Sequence, residues 1–183
     1  MIRFQKFTVK DIVFLAIMAA LMMLCGAVSM PVMGLGTELF GIENMCTAIF
    51  YGLVVSLAVQ KVRKPGAVTL VCIFVGAIQL IMGPVMFLTT TLSGLIAEIV
   101  ALVLFRGYEK DRALITAATL VAPLGLPFVV VSKLILRGQS LSEVFHVSWT
   151  LPIIAAGTVL LSFAGAMLGR KIGSELRRAG KLV

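Results

Sequence analysis

Six long apolar runs follow one another along the chain, and the polar and charged positions gather between them rather than within them. The runs cover roughly residues 9–29, 43–60, 66–82, 87–105, 111–136 and 149–169. A helix needs about 20 residues to cross about 30 Å of hydrocarbon, so these lengths predict membrane spans, with the second a little short. Each must be helical, because backbone N–H and C=O groups cannot be left unpaired facing lipid. The expected fold is therefore an all-α, six-helix transmembrane bundle forming a single domain over residues 1–183.

Charge orders these spans. Fourteen of the sixteen Lys and Arg residues fall in four clusters, at residues 3–10, 61–64, 106–112 and 170–181. Positive residues are retained on the inner side of a membrane, so the chain should cross twice between successive clusters with both termini inside. The first run is too long for a signal-peptide core and lacks a small-x-small cleavage site, so it reads as the first transmembrane helix. The net charge of +8 is juxtamembrane, which favours topology and anionic headgroups over nucleic acid as its explanation.

Residues that carry chemistry are few. One histidine excludes a multi-histidine metal site, and no GxSxG, phosphate-binding GxxxxGK[ST] or intramembrane aspartate pair is present. The chain is not read as an enzyme, no cofactor is implied, and any ATP hydrolysis must come from a partner. Cys25, Cys46 and Cys72 stand singly in apolar runs and read as small buried hydrophobes.

The predicted outer loops, 30–42, 83–86 and 137–148, concentrate the polar groups available to a solute. Glu43 and Asn44 open span two and are candidates for ligand contact or for simple helix capping. Gln79 and Thr90 lie in the outer halves of spans three and four and offer amide and hydroxyl groups, although Thr often bonds its own helix. Lys133 is set to pair with Glu38, Glu43 or Glu143, or to snorkel to the headgroups. His146 and Trp149 flank span six, with Trp149 placed for an interface anchor or for stacking on a flat heterocycle. Glu98 is the only acid well inside a span. Its cost there, about 2.5–3.5 kcal/mol on insertion scales, demands an interior partner, either a solute or a neighbouring helix. Pro123 and Pro127 bracket Gly125 in span five and predict a kink or local unwinding that lines a cavity or serves packing. Ala16, Ala19 and Ala20 put small residues on span one, suited to docking a membrane partner or to packing within the bundle.

With Ala16-x-x-x-Ala20, Tyr51-Gly52, Arg63-Lys-Pro-Gly-Ala67, Gly83-Pro84 and Gly94-x-x-Ala-Glu98 in view, the chain resembles the substrate-binding S components of energy-coupling-factor (ECF) vitamin transporters. It is most similar to the YkoE-type hydroxymethylpyrimidine/thiamine group, with the MptD type as second choice because neutral Gln79 stands where the first group carries an acid. The resemblance covers nearly the whole chain. It implies a vitamin-like ligand bound from outside, docking of Ala16, Ala19 and Ala20 on a membrane coupling subunit, two cytoplasmic ATPase subunits, and a bacterial cell-membrane location. The competing reading is a self-sufficient small secondary transporter or channel. No convincing repeat relates the two halves, and Glu98 alone would have to carry proton coupling.

Overall fold

A computed structural model describes residues 6–33, 42–108, 111–137 and 150–180. These form α1 (Val9–Met33), α2 (Ile42–Lys61), α3 (Ala67–Gln79), α4 (Pro84–Phe105), α5 (Asp111–Arg137) and α6 (Thr150–Arg178). The helix boundaries lie within a few residues of the apolar runs, except at α3 and at the C-terminal end of α6. Among the described residues, four stretches are long and apolar enough to cross a membrane: Val9–Val28, Pro84–Phe105, Asp111–Val131 and Pro152–Arg178. Of the six crossings expected, these four qualify by length and composition, and α2 and α3 are not among them. Helix α3 has 13 residues, about 20 Å of rise, less than the hydrocarbon thickness. A turn closed by Met82 N–H on the Gln79 carbonyl (2.9 Å) carries the chain on to Gly83 and Pro84, which opens α4.

The outside of the bundle is apolar and the inside is partly polar, the arrangement a bilayer imposes. On α4, Leu88, Leu92, Leu95, Ile99 and Val103 are exposed, whereas Thr90, Ser93, Gly94, Ala97 and Glu98 are buried. Helix α2 is the centre, packed against α1, α3, α5 and α6. Val54, Val55, Ala58 and Val59 have no exposed surface.

The α2–α6 pair is held by absent side chains. A Cβ on Gly165 would fall on the Ile49 carbonyl oxygen, and one on Gly52 on the Ser162 carbonyl oxygen. At Gly169 it would lie 2.5 Å from the Leu53 carbonyl oxygen. Gly165, Gly169 and Gly173 are spaced by four, so one face of α6 is bare backbone along two turns. The contacts advance together along the two helices, Ile49 with Gly165, Leu53 with Gly169 and Gln60 with Gly173, so α2 and α6 run parallel. At this distance polar side chains reach the opposite backbone. Ser56 Oγ donates to the Ala166 carbonyl (3.0 Å), Gln60 Nε2 to the Gly169 carbonyl (3.0 Å), and Arg177 to the Gln60 carbonyl (3.0 Å).

The basic clusters meet at one end of the bundle. Thr8 and Asp11 cap α1 reciprocally, Thr8 N–H on Asp11 Oδ2 (2.9 Å) and Asp11 N–H on Thr8 Oγ1 (3.3 Å). Lys64, in the α2–α3 turn, donates to the same Asp11 oxygen (2.6 Å) and to the Lys6 carbonyl (2.9 Å). Arg170 and Arg63 both approach Asp111, at 2.9 and 3.8 Å. Helix α5 runs unbroken through Pro123 and Pro127, so the unwinding expected there is not found. Each proline removes one N–H, at the carbonyls of residues 119 and 123, but φ near −65° is compatible with a helix. Packing on α2, α4 and α6 holds the line of the chain.

Gly165→Ala is expected to lower the thermal stability of the detergent-solubilised protein. Overpacking of this kind costs on the order of 1–3 kcal/mol, and the obstacle here is backbone that cannot turn aside. Gly26→Ala, where nothing lies within 4 Å of the added carbon, should leave the melting temperature unchanged or slightly raised. Equal effects at the two sites would show that the α2–α6 approach is not what limits stability.

Candidate functional site

Two polar interiors lie at opposite ends of α3 and α4. The first centres on Glu98, which is 3 % exposed. Gly66 N–H donates to Glu98 Oε1 (2.6 Å), Thr69 N–H to Oε2 (2.9 Å), the Thr69 hydroxyl to Oε2, and the Tyr108 hydroxyl to Oε1 (3.1 Å). The first turn of α3 has orphan N–H donors, and no side chain of its own caps it. Glu98 supplies the acceptors from the neighbouring helix, at the positive end of the α3 dipole. Burial, reinforced by the Glu98 charge, pushes the Tyr108 hydroxyl far above its ordinary range, so it stays a neutral donor.

The quoted strings Arg63–Ala67 and Gly94–Glu98 are thus two halves of one joint. Gly66 sits in the left-handed region at φ 101°, and an added carbon there would touch the Phe7 ring at 3.3 Å. Gly94 lets α4 press on Cys72.

The second interior lies at the far ends of the same helices. Gln79 is ten residues beyond Thr69 along α3, and Thr90 eight before Glu98 along α4, about 12–15 Å away from the carboxylate. Thr90 Oγ1 donates to Gln79 Oε1 (2.5 Å), and Gln79 Nε2 reaches Tyr51 Oη at 3.5 Å. With Asn44, Thr47, Ser93 and Gly125 they line a cavity of about 80 Å³. The Asn44 amide faces Gly125, within 3.4 Å of where a side chain would begin. Gly125 lines this cavity from a continuous α5, and the prolines that flank it are not among the lining residues.

Of the candidate ligand residues, Asn44, Gln79 and Thr90 come together here. Glu98 does not; it is engaged by α3 and Tyr108. Glu43 and Lys133 lie in α2 and α5, with only their backbone described. Glu38, Glu143, His146 and Trp149 lie outside the described residues. Ala16 is half-buried, Ala19 is fully buried in the core, and Ala20 is exposed. The three alanines therefore do not present one outward face.

Tyr51 and Thr47 were not singled out as site residues from sequence. Their signal in the sequence is the i+3 and i+7 spacing from Asn44, which puts all three on one face of α2. Among the described residues no group of three His, Cys, Asp or Glu comes together. The cavity is lined by neutral donors and acceptors: an amide, a second amide, and hydroxyls that can serve as either.

An all-helical bundle with an apolar exterior and a partly polar interior is the build of an integral membrane protein. Residues 9–174 match the family described as hypothetical bacterial integral membrane protein (Trep_Strep), and the chain belongs to that family. No curated protein and no solved structure matches it.

Glu98→Gln should lower the melting temperature, because the amide NH2 would face an N–H donor where an oxygen now accepts. The expected loss is about 2 kcal/mol, the scale of a charged hydrogen bond. Tyr108→Phe should cost about 1 kcal/mol. Thermal unfolding followed by tryptophan fluorescence reads both, and an unchanged Glu98→Gln melt would remove the carboxylate from the joint.

Proposed function

We propose that this chain is the solute-binding S component of an ECF-type importer, taking a small polar, nitrogen-containing ring compound of the vitamin or vitamin-precursor kind into the Tyr51–Gln79–Thr90 cavity. The observation that carries the reading is the position of that cavity: a set of uncharged hydrogen-bonding groups at the end of the bundle opposite the basic clusters. By the positive-inside rule that end faces outward. The amide of Gln79 can present donor and acceptor to one ring edge, and Tyr51 offers an aromatic face.

Several further features support the assignment. They are the number and order of helices, the Arg63–Ala67 and Gly94–Glu98 strings, and the lack of a nucleotide-binding sequence, which leaves energy coupling to partners. Such partners are a membrane coupling subunit and two ATPases. Ala20 and the exposed apolar row Ile12, Val13, Ile17 and Leu24 of α1 offer a surface for the first of them.

The space enclosed by the described residues holds two or three waters and is well below the ~300 Å³ of an ordinary ligand pocket. Binding therefore requires the outer ends of α2, α4 and α5 to part. A ligand should register as a large thermal shift.

Native mass spectrometry of the detergent-purified chain tests the reading directly. A retained mass of a few hundred daltons, or a thermal shift with thiamine or its hydroxymethylpyrimidine precursor, is the expected result. An empty cavity with no shift across the water-soluble vitamins would overturn it. The double change Gln79→Leu with Thr90→Val should weaken binding by about 2 kcal/mol, roughly thirtyfold, for two lost hydrogen bonds. Replacing Ala16 and Ala20 together by Trp should abolish uptake by cells yet leave binding by the purified chain intact. Loss of both would place these alanines in the internal packing.

A further inference from the structure

Away from the solute site, an open groove of about 1020 Å³ runs at the basic end, along the C-terminal half of α6. Its upper wall is Phe163, Met167 and Leu168, which are 47 %, 42 % and 46 % exposed. Its lower wall carries Arg63, Arg170, Lys171, Arg177 and Arg178 against one acid, Asp111. Arg170 and Arg63 share that acid. Arg178 also reaches Glu175 at 3.2 Å, an exposed pair that contributes little and is readily exchanged.

We infer that this groove is a binding site for an anionic glycerophospholipid of the leaflet at the basic end, with the acyl chains on Phe163, Met167 and Leu168 and the phosphate among Lys171, Arg177 and Arg178. Charge complementarity selects an anion, since cations exceed acids five to one along the lining. The order of chemistry along the helix selects a lipid. From Phe163 to Arg178 the rise is about 22 Å, and the wall changes from wholly apolar to strongly basic part-way along it. One leaflet with its headgroups measures half of about 40–45 Å, and it changes character in the same order. A free phosphate would use only the lower wall and leave the apolar half without purpose. This inference does not depend on the solute assignment, because the groove and the Gln79 cavity share no residue.

The test is native mass spectrometry of the full chain titrated with phosphatidylglycerol and, separately, phosphatidylcholine in the same detergent. Phosphatidylglycerol should be retained preferentially. The double change Lys171→Gln with Arg178→Gln should weaken that retention about thirtyfold, two cations at about 1 kcal/mol each. Both side chains are exposed, so the fold should survive, and an unchanged melting temperature without added lipid verifies it. Arg106→Gln, a charge loss at another helix end, should leave retention as in the parent. Equal retention of the two lipids, or an equal loss in the Arg106 variant, would overturn the proposal by showing diffuse attraction. Displacement of phosphatidylglycerol by millimolar inorganic phosphate would overturn it in favour of a free anion.

Discussion

Everything in this bundle is arranged around the approach of α6 to α2. In lipid there is little hydrophobic drive to press two apolar helices together, so close contact has to come from backbone packing and from polar groups with nowhere else to go. Gly52, Gly165 and Gly169 provide the first by leaving no carbon between the two backbones. Ser56, Gln60 and Arg177 provide the second, each donating to a carbonyl of the opposite helix. Helix α2 is thereby enclosed, and α1, α3 and α5 are laid against the sides that remain.

The buried carboxylate serves a comparable purpose one layer out. A short helix with a bare first turn is a poor membrane element alone. Glu98 completes it from α4, and Lys64 binds the adjoining turn to the cap of α1. With these joints at the basic end, the other end is left to Asn44, Thr47, Tyr51, Gln79 and Thr90, where the Thr90–Gln79 hydrogen bond is short (2.5 Å) and the Gln79–Tyr51 one long (3.5 Å).

The sequence made the spans legible because charges cannot sit in hydrocarbon, so the Lys and Arg clusters mark helix ends almost without reference to packing. It also marked Glu98, Gln79 and Thr90 as interior, since polar groups in an apolar run must turn inward. It did not reveal which partner each would take. A membrane helix is apolar on nearly every face, so the usual contrast between a wet and a dry side is missing, and Glu98 was as compatible with a solute as with α3. Ala19 and Ala20 show the same difficulty: adjacent identical residues, one buried and one exposed. The glycine row of α6 was not singled out from the sequence, and nothing in the sequence identifies its partner, Ile49 and Leu53 of α2. The prolines of α5 suggested a break because a lone helix would bend there. Neighbouring helices keep it continuous.

The two helices of the central joint are also among the farthest apart in the chain. Ser56 and its acceptor Ala166 are separated by 110 residues. At ribosomal rates of about 5–20 residues per second, α2 waits roughly 5–20 s before its partner is synthesised. Through that interval Ser56 and Gln60 lack the α6 carbonyls to which they donate in the finished bundle. The bundle is therefore a structure that locks from its last helix, and a nascent chain stopped before α6 would hold five-sixths of the helices with none of the central closure.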